Sequence, residues 1–241
     1  MTLRLAAGLA AAMACAAFAG PPPTDAARIA YLVERVGNLE AQRIASVGGD
    51  RPRRALAKAI GDVDRALATA ARDAPASMRE HYALFELLWR QHRAWLQRAA
   101  TREGLAALRE RDDELAWLAD RGRTLAGVPP STEDTAWQLA RLAERVSRLA
   151  VLRRSLPAAQ EALDAALQEL QERLAALQAR VAGREGLEGE VAVARGQLDF
   201  LVRAVATRPF GAREADVAAR SADHAAESLE RALARLSASP G

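Results

Sequence analysis

The chain has 241 residues, half of them apolar but only 4% aromatic, with 27% charged and a formal net charge of +3. A composition dominated by Ala, Leu, Glu and Arg argues against a strand-rich core and for long helices. Acidic and basic residues are interspersed along the sequence, which excludes the clustered positive charge of a nucleic-acid-binding face.

The N-terminus sets the expected compartment. Arg4 precedes an apolar run from Leu5 to Ala14, and Ala17-Phe18-Ala19 closes it. A basic start, a short apolar stretch and an A-x-A site make residues 1–19 a secretory signal peptide. The run is short for a membrane span, so no transmembrane segment is expected after cleavage, and the product is periplasmic or secreted. The alternative is lipid anchoring at Cys15, preceded by Ala12-Met13-Ala14. Cys15 is the only cysteine, so cleavage after Ala19 leaves neither disulfides nor thiolate-bound metal.

Eight helices follow in order. Pro21-Pro22-Pro23 leads into the first, which Thr24 or Asp25 caps and which runs to about Ser46. After Val47-Gly48-Gly49, Asp50 caps the second, with Pro52 in its first turn. Ser77-Met78-Arg79-Glu80 has the spacing of a capping box and opens the third, which carries Tyr82, Phe85, Trp89 and Trp95. Thr101 caps the fourth, and Gly127-Val128-Pro129-Pro130 ends a first unit. Ser131 or Thr132 starts the fifth helix, and Leu156-Pro157 breaks it. The sixth and seventh carry heptads, Leu163 to Val181 and Leu187 to Val205, separated by a turn at Gly183–Gly186. Arg208-Pro209-Phe210-Gly211 precedes the eighth, which runs to about Leu236.

The first and fifth helices are copies of one another. Leu32-Val33-Glu34-Arg35-Val36-Gly37-Asn38-Leu39 recurs 110 residues later as Leu142-Ala143-Glu144-Arg145-Val146-Ser147-Arg148-Leu149. One apolar seam runs through each: Ile29, Leu32, Val36 and Leu39, then Leu139, Leu142, Val146 and Leu149. Arg43 and Arg153 stand where each seam calls for an apolar residue, and a buried guanidinium needs an anion or a route to water. The expected fold is all-α: two tandem up-down four-helix units, residues 24–128 and 129–238, or one elongated bundle in which both share a core.

Ala41-Gln42-Arg43-Ile44-Ala45 resembles the Ser-Gln-Arg-Ile-Ala core of the type IV pili methyl-accepting chemotaxis transducer N-terminal domain, a family related to nitrate/nitrite sensor domains. Leu87-Leu88-Trp89 with Trp95-Leu96 resembles that family's third helix, and Leu198-Asp199-Phe200-Leu201 the matching stretch of a second copy. The resemblance implies a four-helix sensor bundle, duplicated and freestanding here, that binds a small oxyanion through helix arginines. By motif position those are Arg43 and, through the repeat, Arg153, with Gln42 and Asn38 in support. The family's Gly-Arg-Gln-Arg stretch is missing, and Leu152 replaces the second glutamine.

No chemistry-bearing pattern competes with that reading. His81, His92 and His224 are scattered without metal-ligand spacing. Glu34 and Glu144 are repeated carboxylates far apart in sequence. There is no G-x-S-x-G, P-loop or dinucleotide-binding glycine pattern. The expectation is a non-enzymatic protein without metal or cofactor, and either a small anion or a protein partner as its ligand. Self-association through the heptad helices is the other route to partners. The rival function is a structural or partner-binding bundle with no small ligand.

Overall fold

The structure is a computed structural model and describes residues 23–96, 104–126, 129–184 and 186–238. The signal peptide, Cys15 and Thr101 lie outside these residues. The described chain is all-α. Its helices are α1 (Pro23–Ile44), α2 (Arg51–Asp73), α3 (Arg79–Leu96), α4 (Gly104–Ala126), α5 (Thr132–Leu152), α6 (Ala159–Val181), α7 (Leu187–Ala206) and α8 (Ala212–Ala238). Among the described residues there is no strand, and no helix is long and apolar enough to cross a membrane.

Local signals set most boundaries. Ser131 caps α5 by accepting from the Asp134 N–H, and the Asp134 carboxylate accepts from the Ser131 N–H in return, a reciprocal box that satisfies two otherwise orphaned donors. Gly183 and Gly186 take φ of 75° and 85° between α6 and α7, a left-handed conformation that glycine adopts without a Cβ penalty. Three expected caps differ. Thr24 and Asp25 lie inside α1, which begins at Pro23. Asp50 precedes α2 but makes no side-chain capping bond. Ser77 falls inside a 3-10 turn, Ala76–Met78, and α3 begins after it at Arg79.

The two units share one apolar core. α1 packs against α2, α4 and α5, while α5 packs against α1, α6 and α8. The α1–α5 contact is more extensive than that of α1 with either neighbour in its own unit. Both helices are therefore enclosed on several sides, and a single seam understates what they bury. Ile29, Val36, Leu139 and Val146 are inside, but so are Glu34, Asn38, Gln42, Glu144 and Arg148. The heptad leucines of α6 face inward as well: Leu163, Leu170 and Leu177 are buried within the chain.

The outer helices differ between the units. Tyr82, Phe85 and Trp89 give α3 its buried face. The buried face of α8 is largely alanine, including Ala215, Ala218, Ala222, Ala225 and Ala226. Small side chains let helix axes approach closely, whereas aromatic ones hold them apart; α7 accordingly contacts α8 over most of its length, and α3 touches α2 and α4 sparsely.

Candidate functional site

The α1–α5 contact has internal symmetry. Glu34 Oε1 lies 2.7 Å from Arg148 Nε, and Asn38 Nδ2 donates to Glu144 Oε2 at 2.5 Å. Residue 34 corresponds to 144 and 38 to 148 in the repeat, so each contact is the other's image. The helices therefore run antiparallel about a pseudo-twofold axis, with an amide at one position and a guanidinium at its counterpart.

The exchange of Asn38 for Arg148 brings compensating changes. Arg148 is fully buried and also meets Asp112 Oδ2 at 2.9 Å and Asp113 Oδ1 at 3.1 Å. Asp113 has the repeat counterpart Asp223, but Asp112 corresponds to Ala222. The carboxylate of Asp112 fits because residue 37 is glycine: a Cβ there would sit 2.7 Å from Asp112 Cγ. At the equivalent place Ser147 accompanies Ala222, so volume lost on one helix is recovered on the other. One guanidinium faces two buried carboxylates, Glu34 and Asp112, and the partly exposed Asp113, and burial, the largest effect, pushes Asp112 up to about 8. Glu144 is raised for the same reason, with the Asp223 charge adding to it. His92 stands 3.5 Å from Asp112, stacked between Trp89 and Trp95, and burial draws it down to about 4.

The residues singled out from the sequence are not brought together. Arg43 closes on its own helix, with Nε and Nη2 both 2.7 Å from the Glu40 carboxylate. Gln42 accepts from Arg51 at 3.1 Å, and Asn38 is committed to Glu144. Arg43 and Arg153 end antiparallel helices: by the pairing of 34 with 148, Arg43 lies level with residue 139, roughly 20 Å along α5 from Arg153. A site shared across the pseudo-twofold axis is removed by this geometry.

Arg153 has different surroundings. Its Nη2 donates to the Val205 carbonyl at 2.6 Å and its guanidinium lies 4.2 Å above the Phe210 ring. Arg208 donates to the same carbonyl at 3.1 Å. Arg153, Arg154 and Arg208 line a cleft of about 340 Å³ together with Pro157, Gln160 and Phe210. None of those lining residues is a carboxylate. Partial burial, the largest effect, and then the nearby Arg208 charge lower the Arg153 pKa, while the Asp164 carboxylate acts in the opposite direction.

Several residues of these polar groups were missed because helical periodicity assigns polar positions to solvent. The repeat itself carries the available signal: Glu34 and Glu144 are identical while Asn38 and Arg148 differ, as an asymmetrically filled symmetric contact requires. Among the described residues, no three His, Cys, Asp or Glu side chains are grouped as a metal site would need.

No family model, curated protein or solved structure matches the chain.

Proposed function

We propose that the chain is an exported, non-enzymatic binding protein of the sensor type, a duplicated helical bundle that takes a small oxyanion such as nitrate or nitrite at the Arg153 end of α5. The observation that carries this reading is the cleft lined by Arg153, Arg154 and Arg208 without a lining carboxylate. Planar guanidiniums that stay charged are good partners for a small oxyanion. An anion there would offset the Arg208 charge, which adds to burial in lowering the Arg153 pKa. The resemblance to chemotaxis transducer N-terminal domains points to the same ligand class. Export rests on the N-terminal sequence.

A structural or partner-binding bundle is the second reading, favoured by one observation. The Arg153 and Arg208 guanidiniums both donate to the carbonyl of Val205 at the end of α7, where a cation caps the helix without any ligand.

Thermal denaturation in nitrate, nitrite and chloride at matched ionic strength separates the two. A ligand at one hundred times its dissociation constant adds about 2.7 kcal/mol, which for a chain of this size is a shift of about 5–10 °C. Nitrate or nitrite is expected to raise the midpoint above chloride in the wild type and in Arg43→Ala, but not in Arg153→Ala. Equal midpoints in all three salts would leave the structural reading.

A further inference from the structure

A second cleft lies halfway along α5, where it meets α4 and α6. It encloses about 90 Å³ and is lined by Asp120, Arg123, Gln138, Arg141, Leu142, Arg145, Glu169 and Arg173. Four of these are arginines and two are carboxylates, an excess of two positive charges. Asp120 is shared between Arg141, at 2.7 Å, and Arg123, at 3.5 Å, and Glu169 pairs with Arg173 at 3.5 Å. Among the described residues no carboxylate lies within ion-pair distance of Arg145.

The repeat explains why Arg145 is left over. Its counterpart Arg35 lies 3.8 Å from Glu144 and 3.7 Å from Asp223, and it donates to the Tyr31 hydroxyl. The residues equivalent to those two acids are Glu34 and Asp113. Both are held by Arg148, the guanidinium that replaces Asn38. The position equivalent to Tyr31 is Arg141. Every group that pairs with or accepts from Arg35 thus has a counterpart that is either occupied by Arg148 or changed.

Two further donors serve the same cleft. Gln138 and Arg141 are 93% and 91% buried, and Gln138 Nε2 and Arg141 Nε have no hydrogen-bond partner. Unsatisfied buried donors are costly and call for an acceptor. Residues 138, 141 and 145 recur at i, i+3 and i+7, so they lie along one face of α5. The cleft has room for a few waters' worth of atoms, which suits a four- or five-atom ion.

We infer that this cleft is a binding site for a compact divalent oxyanion, sulfate or hydrogen phosphate, held by Arg145 with Arg141 and Gln138. A dianion balances the two surplus charges, whereas a monoanion such as nitrate leaves one. The site is separate from the Arg153 cleft and does not depend on it.

The test is calorimetric titration of the purified mature chain with sodium sulfate, sodium phosphate and sodium nitrate against a constant chloride background. Sulfate also stabilises proteins without binding, by exclusion from their surface, so saturable heat rather than a melting shift alone is the readout. Sulfate and phosphate are expected to bind one per chain. Phosphate should tighten as pH rises and the ion loses its second proton, while sulfate affinity changes less. Arg145→Gln, at a partly exposed position, is expected to weaken sulfate at least tenfold. Arg153→Gln is expected to leave sulfate binding unchanged while removing any nitrate response. Unsaturable sulfate heat in the wild type, or equal affinity in Arg145→Gln, would overturn the inference whatever the nitrate result.

Discussion

Asp112 shows how one side chain makes stability depend on pH. An unfolded aspartate titrates near 4, whereas burial in the fold pushes Asp112 up to about 8. Between those values the folded state holds a proton that the unfolded state has lost, so stability falls as pH rises. The raised Glu144 acts in the same direction. His92 acts oppositely: drawn down to about 4, it costs stability as pH falls from its ordinary value near 6.5. The effects oppose one another below pH 6.5, and above it the carboxylates dominate. From pH 6.5 to 8 the Asp112 contribution alone amounts to about 2 kcal/mol, so the melting midpoint is expected to drop by several degrees. Asp112→Asn keeps an acceptor for Arg148 and should flatten that slope. A midpoint that holds steady over this range in the wild type would contradict the assignment of a proton to Asp112.

Helix propensity and helix packing pull in opposite directions at two glycines. Replacing an interior helical glycine by alanine ordinarily gains about 0.5–1 kcal/mol. At Gly196 in α7 a Cβ would meet nothing within 4 Å, so Gly196→Ala is expected to stabilise by that amount. At Gly37 in α1 the same atom would run into the Asp112 carboxylate, which Arg148 holds in place. Overpacking of this kind costs about 1–3 kcal/mol, and Gly37→Ala should be destabilising despite its better propensity. Urea unfolding of the two variants measures both signs. A stabilising Gly37→Ala would mean that α4 can move away from α1 at little cost.

For the molecule as a whole, the central pair α1–α5 makes the two units interdependent. Residues 24–128 alone would leave Tyr31 without the Trp137 ring it packs on and Glu34 without Arg148. Residues 129–238 alone would strand Arg148, which is buried in the full chain, without Glu34, Asp112 and Asp113. Breaking a buried ion pair by removing one partner costs about 3–5 kcal/mol, a large share of the stability of any domain. The full chain is expected to melt in one transition with equal calorimetric and van't Hoff enthalpies. Each half by itself should show reduced helicity and no sharp transition, and mixing them should restore both. A half that melts cooperatively at the midpoint of the full chain would show that the units fold independently.

The number of helices, most of their ends and the 110-residue duplication were all legible in the sequence. These depend on neighbours a few residues apart: the spacing of Leu and Val, the serine cap at Ser131, the glycines at 183 and 186, and the break at Pro157. The apolar seams of α1 and α5 were legible for the same reason. Their polar positions were not. A period of 3.6 identifies the face that a helix turns toward one partner, but α1 and α5 have several partners each. Glu34, Asn38, Glu144 and Arg148 lie off the seams that the period identifies, yet antiparallel packing across 110 residues of chain carries them inside. That packing also closes the distance between Arg148 and the acids equivalent to those neutralising Arg35, and it leaves Arg145 without a carboxylate. Which arginines are satisfied and which are free was decided by tertiary structure, because an ion pair is fixed by distance in space and the sequence records only distance along the chain.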